Sequence, residues 1–242
     1  MTTRIKPTQY ALLLGGGYVG RFLAPTLRAR GYEVTVTTRS GRTDIPDVNC
    51  MEFDSDGAMS HKMRKAFETA DIIITSIPPA KTGEDDALQA LSHLTPKARW
   101  IGYLSATSVY GDREGGWAFE GEAPTPSLDR GRHRADAEIA WIETGWPVHI
   151  FRLAGIYGPG RSPFAKLAAG KSAAIIKLGH VVNRIHVEDI ASAVLASIDA
   201  PSPQAIYNIA DGHPAPPQTV VDFAARLLGL PPPPRRPLND PS

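Results

Sequence analysis

The sequence predicts an α/β fold, a doubly wound parallel sheet with helices on both faces. Three observations predict it. The apolar run Leu12-Leu13-Leu14 passes directly into Gly15-Gly16-Gly17, and Gly20 follows three residues later. Strand-like and helix-like segments then alternate through most of the chain. Several strand-like runs, Ile72-Ile73-Ile74 above all, are apolar without interruption, the pattern of a strand covered on both faces.

Composition narrows the class. With 242 residues, 42% hydrophobic and 21% charged, the chain is long enough for a large core and ordinary for a globular protein. A net charge of +1 gives no electrostatic case for nucleic acid or an anionic membrane as partner. The single cysteine, Cys50, excludes an intramolecular disulfide framework and a multi-thiolate metal site. The seven histidines show no zinc spacing, so no metal is implied. No apolar run reaches membrane-spanning length and residues 1–7 lack a secretory pattern, so a cytoplasmic location is expected.

In chain order, Gly15, Gly17 and Gly20 fit G-x-G-x-x-G, the dinucleotide-binding fingerprint, with Tyr18 and Val19 completing the loop. The first glycine permits the turn, the second lets backbone approach a pyrophosphate, and the third lets the helix pack on the strand. A plain glycine turn is the alternative. Phe22, Leu23 and Leu27 share one face of the helix that follows; Pro25 is placed near its first turn, and Gly31 ends it. Residues 32–37 form a β-branched strand. An NAD site usually carries an acid at the end of that strand, about 20 residues past the glycines. Here the chain reads Thr37-Thr38-Arg39-Ser40, with no acid until Asp44. Arg39, assisted by the hydroxyls of Thr38 and Ser40, suits a 2′-phosphate, which favours NADP(H) over NAD(H). A solvated loop arginine is the other reading.

Residues 48–53 read as a strand ending at Asp54, placed to accept from an adenine amino group or to cap the next helix. A helix over 60–68, a strand over 71–77 stopped by Pro78-Pro79, a helix over 84–94 and a strand over 100–105 follow. Ligands of such sheets bind outside the strand C-termini, so Ser76, Ile77, Pro78 and Ser105 are expected to face cofactor, and the stretch to Tyr110 to face substrate. A long loop occupies 111–130; the next helix, 135–144, turns Ile139, Ala140 and Ile142 to the core, and a strand spans 148–153. The alternation then loosens: strand 181–187, helix 188–200, strand 205–209, helix 219–228 closed by Gly229, and a proline-rich stretch 231–242, extended or disordered.

Linked landmarks then stand in order: Gly15 to Gly20, Leu104-Ser105-Ala106-Thr107-Ser108-Val109-Tyr110-Gly111-Asp112, Arg152 with Tyr157-Gly158-Pro159-Gly160, Arg184-Ile185-His186-Val187-Glu188-Asp189, and Tyr207-Asn208-Ile209-Ala210-Asp211. Together they resemble the extended short-chain dehydrogenase/reductase superfamily, the NAD(P)-dependent epimerase/dehydratase group. Leu14 stands where that group carries its first glycine, a departure that resembles an atypical branch. The resemblance implies a Rossmann domain over 1–153 that also receives segments around 181–209. It further implies a small C-terminal substrate lobe drawn mainly from 154–230, while the composition of 231–242 reads as a flexible tail. The resemblance implies a small-molecule substrate, a sugar nucleotide or another carbonyl or hydroxyl compound, with a homodimer among the assemblies open to it.

The superfamily works with a Tyr-x-x-x-Lys helix and a Ser or Thr after the fifth strand. Matching those positions gives Arg130, Arg134 and Ala106, so the usual set is absent. Arg130 cannot exchange a proton as tyrosine does, because guanidinium keeps its proton to a pKa above about 12. Arg134 can still hold a ribose or phosphate. Tyr110 and Ser108 are the substitute catalytic candidates beside Arg134, although Tyr110 also suits simple packing under the loop. Thr107, Tyr157 and Arg184 are the substrate candidates; a surface salt bridge is the alternative for Arg184, and His186 reads as a buried, hydrogen-bonded histidine. The resulting expectation is an NADP(H)-dependent oxidoreductase or epimerase with a non-standard catalytic set. The alternative is an inactive NADP(H)-binding sensor or interaction protein.

Overall fold

The computed structural model describes residues 9–54, 59–170, 174–176 and 179–237. The readings for residues 1–7 and 238–242 lie outside them. β1 (Gln9–Leu14), β2 (Tyr32–Thr38), β3 (Asn49–Glu52), β4 (Ile72–Thr75), β5 (Trp100–Ala106), β6 (Val148–Leu153) and β10 (Ile206–Ile209) form one seven-stranded sheet in the order β10-β6-β5-β4-β1-β2-β3. Every pairing is parallel. The strand order reverses at β1, where Leu12 lies between Thr35 of β2 and Ile73 of β4. This is the switch point at which ligands of such sheets bind.

The uninterrupted apolar runs divide between the two faces with the strand period of two. Leu13, Ile72 and Ile74 pack with Leu23 and Leu27 of α1 (Gly20–Ala29) and with Ile190 and Val194 of α6 (Val187–Asp199). Leu12, Leu14 and Ile73 turn the other way, onto Met63 and Phe67 of α2 (His61–Thr69), Leu88 and Leu91 of α3 (Asp86–Leu91), and Trp141 of α4 (Asp129–Glu143). Each face buries a full layer of aliphatic side chains, which fixes the strand register because a one-residue slip would exchange the faces.

Several boundaries differ from the sequence reading. Pro25 lies inside α1 rather than in its first turn, so the Arg21 carbonyl there has no proline N–H to accept. α4 starts at Asp129, six residues before the expected 135, because its first turns are charged and carry no apolar period. Ile139 is 54% exposed; Ala135, Ala137, Glu138 and Trp141 form the inward face instead. The short β7 (Gly155–Tyr157) pairs with β9 (Arg184–His186), and β8 (Ala174–Ile176) pairs with β11 (Arg235–Pro237). Three-residue strands are too short to show a period. The pairing of β11 corrects the flexible reading of the proline-rich stretch for 235–237, and Arg235 reinforces it with a 3.0 Å ion pair to Asp222. A small separate cluster joins Leu167 of α5 (Phe164–Ala168) to Ala224 and Ala225 of α7 (Pro217–Leu227). Among the described residues no helix is long and apolar enough to cross a membrane.

Candidate functional site

The turn between β1 and α1 is built by close backbone contacts. Gly15 has φ +103°, and its N–H donates to the Thr37 hydroxyl at 3.0 Å while the Gly16 N–H donates to the Thr37 carbonyl at 2.7 Å. A Cβ on Gly15 would lie 2.5 Å from Ser76 Oγ, and one on Gly20 only 2.8 Å from the Gly15 carbonyl oxygen. Side chains at both positions are therefore sterically refused. Gly17 differs: nothing lies within 4 Å of its Cβ position, so that side of the loop is open. No side chain caps α1 and no acid occupies its first turn. The Arg21, Phe22 and Leu23 N–H groups are taken by the Gly17 and Val19 carbonyls, so an anion here meets the N–H groups of the loop just before them and the positive end of the helix dipole. These features fit a dinucleotide pyrophosphate. The Ser76 hydroxyl is shared between the Leu14 and Gly15 carbonyls, and Ile77 packs beneath the turn. The Tyr18 hydroxyl donates to the Pro159 carbonyl at 3.0 Å, and the Arg161 guanidinium lies 5.4 Å above the Tyr18 ring. Through these contacts the segment after β7 reaches the loop.

At the end of β2, the Thr38 hydroxyl donates to the Arg42 carbonyl and accepts from the Arg42 N–H, at 3.0 and 3.1 Å. It is committed to that turn, which leaves Arg39 and Ser40, both exposed, for a ligand. Asp44, the first acid, is bonded to Arg21 at 2.7 Å; that hydrogen bond holds its carboxyl below the usual carboxylate range. Asp54 is exposed just past β3.

Toward β5 and β6 the crevice widens into a cleft of about 680 Å³. It brings together Val19, Ser76, Pro78, Ser105, Thr107, Ser108 and Arg134 from the sequence-predicted set, and adds Lys81, Arg130 and His133. Arg130, His133 and Arg134 are spaced i, i+3 and i+4 along α4, hence on one face. Gly131 lets that face approach: a Cβ there would meet the Ser108 carbonyl oxygen at 2.5 Å. Arg134 is fixed by a 2.7 Å hydrogen bond to the Leu104 carbonyl. The His133 ring lies against Gly83, whose φ is +105° and whose Cβ would stand 3.0 Å from Cδ2. The spacing Arg130-x-x-His133-Arg134 was visible in the sequence, but starting the helix at 135 concealed that these residues share a face.

Tyr110 is elsewhere. It is 3% exposed, and its hydroxyl accepts from Arg152 at 2.7 Å and approaches Asn208 Oδ1 at 2.8 Å and the Phe119 carbonyl at 3.2 Å. Arg152 in turn makes a fork to Glu138, with Nη2 to Oε2 at 2.7 Å, and the Ser105 hydroxyl donates to the same carboxylate. Burial works against the Arg152 charge, but its bonds to Glu138 and Tyr110 outweigh this and hold its pKa above the ordinary arginine value. Tyr110 is thus part of a buried network and not a group of the cleft, which corrects the catalytic reading of it. Ser105 lines the cleft while spending its hydroxyl on Glu138. The Tyr103 hydroxyl is also buried, with its pKa pushed up by burial, and supplies no accessible proton. No local pattern signals the Arg152–Glu138 pair, because the partners lie on separate elements.

The remaining substrate candidates are not on the cleft wall. Arg184 donates to the Val182 carbonyl at 3.0 Å, and Tyr157 stands edge-on to His186 with ring centroids 5.2 Å apart. His186 is half-buried and caps α6, accepting from the Glu188 N–H at 3.4 Å.

The chain is 35% identical to Protein YeeZ of Escherichia coli (strain K12) over 240 residues, covering 91% of this chain and 84% of that protein. A structure of a protein of unknown function from Silicibacter pomeroyi is 39% identical, with a TM-score of 0.86 over 97% of this chain and 84% of that one. The dTDP-glucose 4,6-dehydratase of Bacillus anthracis, solved in complex with NAD, shares the fold at 18% identity, with a TM-score of 0.77 over 95% of this chain and 84% of that one. No family model matches the chain. The chain belongs to the family of Protein YeeZ, and it shares its fold, with the parallel sheet, glycine turn and cleft at the strand switch point, with the NAD-dependent epimerases and dehydratases.

Proposed function

We propose that this chain is an NADP(H)-dependent oxidoreductase or epimerase whose proton-transfer set differs from the usual one of its superfamily. One observation carries the reading: the open glycine turn and the 680 Å³ cleft form one crevice at the strand switch point. A bound nicotinamide dinucleotide supplies a hydride donor or acceptor. The chain's own residues hold and orient. Gly15 to Gly20 and the start of α1 take the pyrophosphate, and Arg39 with Ser40 takes a 2′-phosphate. Asp54 is left for the adenine amino group. Arg134, fixed by the Leu104 carbonyl, is placed for a ribose or phosphate oxygen. Thr107 and Ser108 offer hydroxyls to a substrate at the cleft wall, and Ala106 leaves room beside them. His133 is the side chain of this wall placed to hold or pass a proton at the substrate. The segments after β6, with Arg161 over Tyr18, form the substrate lobe.

A second reading, an NADP(H)-binding sensor without turnover, is favoured by one fact: no tyrosine lines the cleft among the described residues. Incubation with NADPH and a panel of carbonyl compounds and sugar nucleotides separates the two. The enzyme reading expects either NADPH oxidation with a carbonyl compound or, with NADP+ bound, conversion of a sugar nucleotide to its epimer without net redox change, and a fall of about a hundredfold in kcat in His133→Asn, within the range of general acid–base catalysis. Tight NADPH binding with no turnover on the whole panel would leave the sensor.

A further inference from the structure

The cleft wall opposite the glycine turn is strongly cationic. Lys81, Arg130 and Arg134 line it together, and Asp129 is the only carboxylate of the lining. Asp129 is already paired with Arg132. Among the described residues none of the three cations has a carboxylate within ion-pair distance. The other lining residues offer no compensation: Leu153, Ala154 and Ile156 are apolar, and Arg161 is a further cation. Lys81 and Arg130 are exposed and Arg134 is half-buried, and an anion seated among these like charges in one concave space relieves their repulsion. Arg161 is set apart from this group by its position over the Tyr18 ring of the glycine turn.

We propose that Arg130 and Lys81, beside the fixed Arg134 that faces the cofactor, bind an anionic oxygen group on the substrate itself, a carboxylate or a phosphate. The proposal rests on the reading of this crevice as an NADP(H) site and deepens it. The substrate is then a carbonyl or hydroxyl compound whose oxyanion lies against α4 and whose carbon body lies on Leu153, Ala154 and Ile156. A planar guanidinium grips either oxyanion with two parallel hydrogen bonds, whereas the Lys81 ammonium adds a point charge. Arg130 and Arg134 stand at the positions where the superfamily carries tyrosine and lysine. The same residues that exclude the usual proton chemistry thus select the charge of the ligand.

Calorimetric titration of the full chain, saturated with NADPH, with inorganic phosphate and with malonate tests this, using chloride as the control anion. At least one of the two binds to the wild-type chain, and R130Q and K81Q each weaken that binding about tenfold or more, the scale of one charge-assisted hydrogen bond. NADPH affinity stays within about twofold, given that these side chains face substrate. The tighter anion names the group, phosphate for a phosphate ester and malonate for a carboxylate. Thermal unfolding of both variants at the wild-type temperature shows that they are folded. The proposal is overturned if neither anion binds, if both variants bind as the wild type does, or if the anions displace NADPH. If NADPH itself does not bind, the cofactor reading fails, and the same titration on the cofactor-free chain still decides for or against the anion site.

Discussion

The Tyr110 hydroxyl shows how one residue's surroundings determine its chemistry. Its partners, Arg152, Asn208 and the Phe119 carbonyl, use the whole capacity of a phenol. Tyr110→Phe leaves the Arg152 donor unmet, so a loss of about 1–3 kcal/mol in unfolding free energy is expected by urea titration, with NADPH binding unchanged. Loss of cofactor binding at unchanged stability would return Tyr110 to the site. His149 is a second buried residue with a definite consequence. It is fully buried on β6, its Nε2 accepts from the Ser202 N–H at 3.1 Å, and its ring stacks on Trp100. Burial lowers its pKa below the ordinary 6.5. The unfolded chain therefore takes up a proton as pH falls through about 6.5 while the folded chain does not. Stability is complete above that pH and is lost as pH falls toward the folded value, by at most about 1.4 kcal/mol per pH unit. Thermal scans from pH 7 to pH 5 are expected to show this slope flattened in His149→Leu. An identical slope in the variant would assign it to other groups.

At the scale of elements, α4 joins the buried network to the cleft. One turn after Arg134, Glu138 binds Arg152 and Ser105 and so ties the helix to β5 and β6. Replacing one partner of a buried ion pair leaves the other charge uncompensated. Glu138→Gln is thus expected to lose about 3–5 kcal/mol of stability, measured by denaturant unfolding, whereas an exposed pair such as Arg30–Asp199 contributes at most about 1 kcal/mol. A change below about 1 kcal/mol in Glu138→Gln would show that α4 is held by packing alone. The helix also marks where reading from sequence stops. Its second half, with Trp141, carries an apolar signal, while Arg130 to Arg134 reads as a solvated charge run. Only the approach of Gly131 to the Ser108 carbonyl turns that run into a cleft wall. Glu138 and Arg152 carry no local signature because they lie on separate elements, whereas α5, β7 and β8 were missed because they have too few residues to show a period.

For the whole molecule, the sheet was legible because parallel strands covered on both faces leave long apolar runs, and because glycine punctuates the first turn. Leu12 to Gly20 alone indicated the strand, the turn and the helix, and all three are present. The loops beyond β6 were less legible, since their geometry depends on contacts such as Tyr18 with Pro159, which are distant in the chain. The proposed NADP(H) site at the switch point is tested most directly by fluorescence titration of the wild-type chain and Arg39→Ala with NADPH and NADH. NADPH is expected to bind the wild-type chain more tightly than NADH, and Arg39→Ala to weaken NADPH by about tenfold to a hundredfold while leaving NADH nearly unchanged, as the loss of a charge-assisted bond of about 1.5–3 kcal/mol requires. Failure of both nucleotides to bind, or equal weakening of the two in Arg39→Ala, would contradict it.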